Sequence, residues 1–509
     1  MTAPLYYDQS CCNSSCSFRV TKPPKPSGLH DRDRHWSTLA RFATTDEAGS
    51  ALALVYGRRR QGKTLLLELL AREVGGLMFT GLRERRDLSL RRLAASYAGV
   101  TGGPEPRFDS WRGVLEILLG LGERRGGPAF VVLDEFPYLM EAEPSLPSLV
   151  QLALEPLSPA RVTGRTRLVL CGSALHVMRG LLSGSAPLRG RAELEVLVHP
   201  FGFRQSAEFW GAPDFDTAFQ VHALLGGTPA YRAMAGGPPD SRADLAEWVA
   251  RGPLDPDRAL FREGAILLQE EPGLHDLGLY HSTLTALSQG AHRPGEIATA
   301  LGRPVTAVAH PLAVLEQTGL IARTEDAFRQ RRPTYRVREP VIRLHQLVAA
   351  PNEAALVAGR AAEVWARVQD VVASRILGPH WEDLTRAWCL DHAGEASLGG
   401  VASRVQQAVV ACPSHPGGHQ LDVVVLEACP GERDRVIAVG ESKGGTAAVD
   451  GELLARLDHV REILDRSGAA ARPKLLLFAR SGFTSELRRR ADARDDVELV
   501  DLERLYLGS

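Results

Sequence analysis

Lys63, Thr64, Asp134 and Glu135 are side chains whose types and surroundings suit chemistry on a phosphate. Lys63 and Thr64 close the run Gly57-Arg58-Arg59-Arg60-Gln61-Gly62-Lys63-Thr64, which fits G-x-x-x-x-G-K-[ST]. Glycines let such a loop curl so that its N–H groups point at phosphate oxygens, and the helix that opens at Thr64 adds the positive end of its dipole. Lys63 is then expected to reach the β- and γ-phosphates, with the Thr64 hydroxyl on Mg²⁺. Asp134 and Glu135 end the apolar run Phe130-Val-Val-Leu133. At the end of a buried strand, Asp134 would hold the water shell of Mg²⁺ and Glu135 would polarise an attacking water. A second group of acids with a lysine, Glu382, Asp422, Glu441 and Lys443, lies in the C-terminal third.

Elements that could position the first group are legible around it. An apolar run over residues 52–56 predicts a buried parallel strand before the loop, and a leucine-rich helix follows it. A strand over 77–80 and helices over 88–97 and 111–121 come next. Residues 167–171 read as another strand, ending in Gly172-Ser173, where the Ser173 hydroxyl could sit near the γ-phosphate. Arg191, in the loop 187–193, is a candidate transition-state arginine, acting within the chain or on a neighbour. An ordinary surface arginine is the alternative. Upstream, residues 29–39 place apolar side chains on one helical face.

From residue 280 the pattern changes to three short helices, over 282–287, 294–302 and 307–318. Two strands, over 319–323 and 334–337, would complete a winged helix-turn-helix. Arg323, Arg329, Arg331, Arg332, Arg336 and Arg338 crowd this wing and give DNA binding a physical basis. A protein-protein role is the alternative. Further on, Glu382 falls on a predicted helix, Asp422 at the start of a strand over 420–426, and Glu441 and Lys443 on one face of a strand over 436–443. Strands over 474–478 and 497–502, with a helix between, would continue an α/β/α sandwich.

Taken in order, Gly57-Arg-Arg-Arg-Gln-Gly-Lys-Thr64, Leu133-Asp-Glu-Phe-Pro-Tyr138, Cys171-Gly-Ser173, Leu188-Arg-Gly-Arg191 and Leu225-Gly-Gly-Thr-Pro-Ala-Tyr231 resemble the archaeal-type ATPases, allied to the AAA+ and STAND NTPases. The resemblance implies ATP and Mg²⁺ binding, a core of parallel strands between helices, and a helical lid. Ala174 stands where that family usually has a second serine, and Arg189 where an aromatic is common. In the C-terminal third, the order helix Glu382, Asp422, Glu441-Ser-Lys443 resembles the PD-(D/E)xK nuclease core, an ending that also accompanies the archaeal-type ATPases. By that resemblance Asp422 and Glu441 bind one or two Mg²⁺, Lys443 orients the water and Glu382 completes the metal shell. Gln420 replaces the usual acid two residues before Asp422.

The chain of 509 residues is too long for one core. The expected fold is a multidomain α/β protein: a disordered segment over 1–28, a P-loop NTPase core over 29–205, a helical lid over 206–275, a winged helix over 276–350 and a restriction-endonuclease-like α/β/α domain over 351–509. Net charge is −1, so DNA would have to be held by local basic patches. Cys171 and Cys389 sit in apolar contexts as small core residues, while Cys11, Cys12 and Cys16 give a weak zinc signal without a fourth ligand. No run long enough to span a membrane occurs, and a reducing cytoplasm is expected. Two functions fit. In one, ATP hydrolysis controls DNA cleavage; in the other, ATP toggles a signalling switch whose winged helix docks a partner or operator, and the C-terminal domain is an inactive scaffold; a protein partner or a homo-oligomer is expected in either.

Overall fold

Leucine and valine runs without polar interruption suit strands covered by helices on both faces. In the computed structural model, which describes residues 22–269, 276–329, 333–470 and 472–509, the runs before Gly57, Glu135 and Ser173 are β1 (Ala51–Tyr56), β3 (Ala129–Asp134) and β4 (Thr166–Gly172), and every residue of the three is buried. With β2 (Leu77–Thr80) and β5 (Ala192–Leu197) they form one sheet in the order β2-β3-β4-β1-β5. All four pairings are parallel. This five-stranded parallel sheet between helices fits a P-loop NTPase core. Because β3, β4 and β1 are neighbours, their C-terminal ends bring Asp134, Gly172 and Tyr56 to one edge.

The chain divides into two units. The first holds residues up to Tyr56 together with Lys63–Ser173 and Met178–Val198; the second holds Gly57–Gly62, Ala174–Val177 and His199–Ser509. In the first, Trp36, Leu39 and Phe42 of helix Asp33–Thr44 and Leu66, Leu67 and Leu70 of helix Lys63–Glu73 pack on Val55, Phe130 and Val169. Burying each such side chain contributes about 1.5–3 kcal/mol. Residues 22–28, expected within a disordered lead-in, are held against this layer: the Pro23 carbonyl accepts a hydrogen bond from Trp36 Nε1 at 3.0 Å. Cys11, Cys12 and Cys16 lie outside the described residues.

In the second unit, helices Phe203–Trp210, Phe215–Leu225, Leu245–Arg251 and Ala259–Gln269 lead to helices Leu277–Ser288, Pro294–Ala300 and Thr306–Gln317. An antiparallel hairpin follows, β6 (Ile321–Thr324) with β7 (Thr334–Val337), registered from Ile321 opposite Val337 to Thr324 opposite Thr334. Arg331 and Arg332 lie outside the described residues. The C-terminal part is a mixed sheet in the order β12-β11-β10-β9-β8: β8 (Arg404–Cys412), β9 (His415–Glu427), β10 (Arg435–Lys443), β11 (Lys474–Ala479) and β12 (Val497–Asp501). Val423, Val425 and Phe478 face Trp381, Leu384 and Trp388 of helix Gly378–Asp391. Val424, Leu426 and Leu477 face Leu453, Leu457 and Val460 of helix Gly451–Arg466. Strand alternation thus covers the sheet with helices on both faces. The boundaries expected at 275/276 and 350/351 fall inside this second unit.

Candidate functional site

Gly62 has φ 84°, a left-handed value that glycine adopts without a Cβ clash, and the next residue begins the helix. Lys63 is therefore its first residue, and it is buried. Thr64 Oγ1 donates to Asp134 Oδ2 at 2.9 Å, tying the helix start to the last residue of β3. A hydroxyl and a carboxylate in contact are hard oxygen donors of the kind magnesium takes, so the pair fits that ion. Glu135 then has φ 49° and ψ 44°, a left-handed backbone that costs an L-residue about 1–2 kcal/mol. This turn carries its carboxylate to Ser173 Oγ, which donates to Oε2 at 3.0 Å and Oε1 at 3.2 Å. Ser173 can reach this position because Gly172 precedes it: a Cβ at 172 would lie 2.7 Å from Pro137 Cδ and 2.8 Å from Met178 Sδ.

Arg191 stands elsewhere. It precedes Ala192, which pairs with Leu52 in the parallel register, so it lies at the N-terminal edge of the sheet. Tyr56, at the opposite edge, is roughly 13 Å further along the strand. An arginine side chain does not span that distance, which corrects the expectation of a transition-state role within its own chain.

Two of the three loop arginines are committed to carboxylates of the second unit. Arg58 pairs with buried Glu339, and Arg60 Nη1 lies 3.0 Å from Glu263 Oε1. Tyr231 also donates to Glu263 Oε1, at 3.0 Å; burial, helped by the Glu263 charge, pushes its phenol far up. Arg59 is half-buried and Gln61 buried.

The C-terminal group converges from three elements. Asp422 Oδ2 accepts from the Ser442 backbone N–H at 3.0 Å, which places it beside Glu441. Lys443 Nζ and Arg456 Nη1 both donate to Glu441 Oε1, at 2.8 and 3.0 Å. Glu441 Oε2 is buried with no hydrogen-bond partner. Burial and then the Asp422 charge push the carboxyls of both Glu441 and Glu382 up. An orphaned, buried Glu441 oxygen beside the Asp422 carboxylate is what a divalent cation would relieve, so Asp422 and Glu441 fit Mg²⁺. Glu382 is turned to other partners: its Oε2 lies 3.6 Å from Arg386 and 3.7 Å from Arg336.

No family model and no curated protein matches the chain. Among solved structures it is similar to the Walker-type ATPase paby2304 of Pyrococcus abyssi, at 23% identity and TM-score 0.46 over 62% of this chain and 96% of that one. It is also similar to the ORC2 protein of Aeropyrum pernix in ADPNP–ADP complexes, at 16% identity and TM-score 0.39 over 67% and 96%. Cdc6p of Pyrobaculum aerophilum follows at 16% identity and TM-score 0.34 over 69% and 97%. Likeness this weak says nothing by itself about activity or ligand.

Sequence patterns miss the role of Asp383. It accepts from Arg386 at 2.9 Å and Arg336 at 3.0 Å, with Arg343 at 3.9 Å. Arg336, expected to grip phosphates from the wing, is instead nearly enclosed beside these acids, and Arg323 pairs with Glu325 at 2.7 Å. Only the acidic doublet Glu382-Asp383 could have signalled a buried cationic partner. Arg293, Arg329 and Arg336 line a cleft of about 490 Å³ that also reaches Glu382 and Gln420. Among the described residues, no helix is long and apolar enough to cross a membrane.

Proposed function

We propose that the first unit binds ATP with Mg²⁺ and hydrolyses it, and that nucleotide state controls a winged helix and a PD-(D/E)xK nuclease-like domain acting on double-stranded DNA in the cytoplasm. The hydrogen bond between Thr64 and Asp134 carries the nucleotide reading, because it joins the hydroxyl of a phosphate loop to the carboxylate of the neighbouring strand beside buried Lys63. Glu135, set by its backbone and by Ser173, is the general base for the attacking water. Phosphoryl transfer needs little covalent chemistry from the protein, so this positioning supplies most of the rate. ATP affinity in Mg²⁺ is the test: it collapses in Lys63→Ala, and equal affinity in variant and wild type sinks the reading.

The nuclease reading is supported by the orphaned Glu441 oxygen beside Asp422 and by the arginine-lined cleft that reaches Gln420. Lys443, on the same strand face as Glu441, would orient the water. Nicking of supercoiled plasmid in Mg²⁺ or Mn²⁺, with and without ATP, is expected for the wild type and lost in Asp422→Ala. A second reading, a nucleotide-driven switch with an inactive C-terminal scaffold that docks a protein partner, is favoured by the two cations already on Glu441 Oε1. Absence of nicking in both proteins would select it.

A further inference from the structure

Four side chains that belong to neither carboxylate group converge where β8 turns into β9. They are Cys412 at the end of β8, His415 and His419 on β9, and His459 on helix Gly451–Arg466, and one ligand atom from each lies within 4.8 Å of the others. We propose that they form a zinc site, a closed Cys-His₃ centre that pins the β8–β9 hairpin to the helix. Cys412 Sγ lies 3.2 Å from His415 Nδ1 and 3.6 Å from His459 Nε2. In a tetrahedral zinc site, with Zn–S near 2.3 Å and Zn–N near 2.0–2.1 Å, a sulfur and a nitrogen are about 3.6 Å apart. Two edges of the tetrahedron are therefore nearly in place. The imidazoles crowd one another, with ring centroids 4.5 Å apart for His415 and His419 and 5.3 Å for His419 and His459.

His419 supplies an independent observation. The residue is 7% exposed, and its Nε2 is buried with no hydrogen-bond partner. A buried ring nitrogen without a partner carries a desolvation cost of about 1–3 kcal/mol, and a metal ion removes it. One thiolate with three imidazoles suits zinc, whereas calcium and magnesium prefer oxygen ligands. Four protein ligands leave no open position, which marks a structural ion and not a catalytic one. It would clamp the strand that carries Asp422, three residues beyond His419, to the helix that supplies Arg456.

The test is metal content of the purified full-length chain after dialysis into metal-free buffer, measured by elemental mass spectrometry. About one zinc per chain is expected, lost in Cys412→Ser and bound at least about tenfold more weakly in His415→Ala, with Cys11, Cys12 and Cys16 all changed to Ser retaining it. His415 is exposed, so circular dichroism of His415→Ala is expected to match the wild type. Cobalt reconstitution should give a thiolate-to-metal charge-transfer band that disappears in Cys412→Ser. A wild type that takes up no zinc from solution would overturn the proposal. So would zinc retained at wild-type affinity by both Cys412→Ser and His415→Ala, or a cobalt spectrum without the thiolate band.

Discussion

Glu135 is where backbone strain and the proposed chemistry coincide, and its replacement separates them. Its φ of 49° and ψ of 44° cost an L-residue about 1–2 kcal/mol. Glycine escapes that cost but gives up about 0.5–1 kcal/mol through the freedom it adds to the unfolded chain. Glu135→Ala and Glu135→Gly both remove the carboxylate and both leave Ser173 Oγ without that acceptor. Those losses cancel in the comparison between the two variants. What remains is the backbone, and it favours glycine by roughly 0.75 kcal/mol, or about 2–3 °C in the melting of a domain of this size. Hydrolysis of ATP should fall about 10²–10⁴-fold in both, with nucleotide affinity retained. Thermal unfolding and a phosphate-release assay, run side by side on the two proteins, read these outcomes. An alanine variant as stable as the glycine variant, or more so, would refute the strained-backbone reasoning. Unimpaired hydrolysis in either would remove Glu135 from the chemistry.

Thr64→Ala removes the hydroxyl that meets Asp134, so hydrolysis and the enhancement of nucleotide binding by Mg²⁺ should both fall, while binding measured in EDTA changes little; an unchanged Mg²⁺ dependence of binding would refute the role. Asp383→Asn removes the charge that Arg336, Arg343 and Arg386 face and leaves Glu382 beside Arg336 and Arg386, a loss of about 3 kcal/mol, the low end for a broken buried pair because the Asp383 carboxylate is 36% exposed. Burial pushes the Asp383 carboxyl up, but the three guanidiniums outweigh it and hold it well below the ordinary range. Its stabilising contribution is therefore present above about pH 4 and lost as the pH falls further, so urea unfolding of wild type and variant should differ at pH 7 and converge in acid.

Where a residue type is dictated by local backbone geometry, the sequence was readable. Gly62 and Lys63-Thr64 follow from the turn into a helix, and the strands before Gly57, Glu135 and Ser173 follow from unbroken apolar runs. Partners distant in sequence were not readable. The arginines of the hairpin look alike as letters, yet Arg336 pairs with Asp383, 47 residues on, and Arg323 with its near neighbour Glu325. Arg191 precedes a strand in either view; only the parallel register, Ala192 beside Leu52, puts it at the far edge. Strand β8 escaped notice because Arg404-Val-Gln-Gln-Ala-Val-Val-Ala-Cys412 breaks alternation, and its pairing with β9 carries two register shifts. Cys412-x-x-His415-x-x-x-His419 holds three of the four members of the proposed metal site; the fourth, His459, is 47 residues beyond Cys412 and is brought there only by the fold.

Two proposed cation sites that share the same pair of elements change how a metal requirement must be tested. Strand β9 carries His419 and, three residues on, Asp422; the facing helix carries Arg456 and, three residues on, His459. Arg456 donates to both Glu441 Oε1 and the Gln420 carbonyl, so the helix already braces the strand between the two sites. Removing an ion from Cys412, His415, His419 and His459 would loosen that brace and shift Asp422 without touching any Mg²⁺. Loss of nicking on adding EDTA therefore does not distinguish a magnesium nuclease from a protein that has shed structural zinc. Asp422→Ala does, provided its zinc content equals that of the wild type. Nicking lost at full zinc occupancy assigns the chemistry to the carboxylates. His415→Ala reports the converse, since any fall in nicking there should be reversed by excess zinc at fixed Mg²⁺.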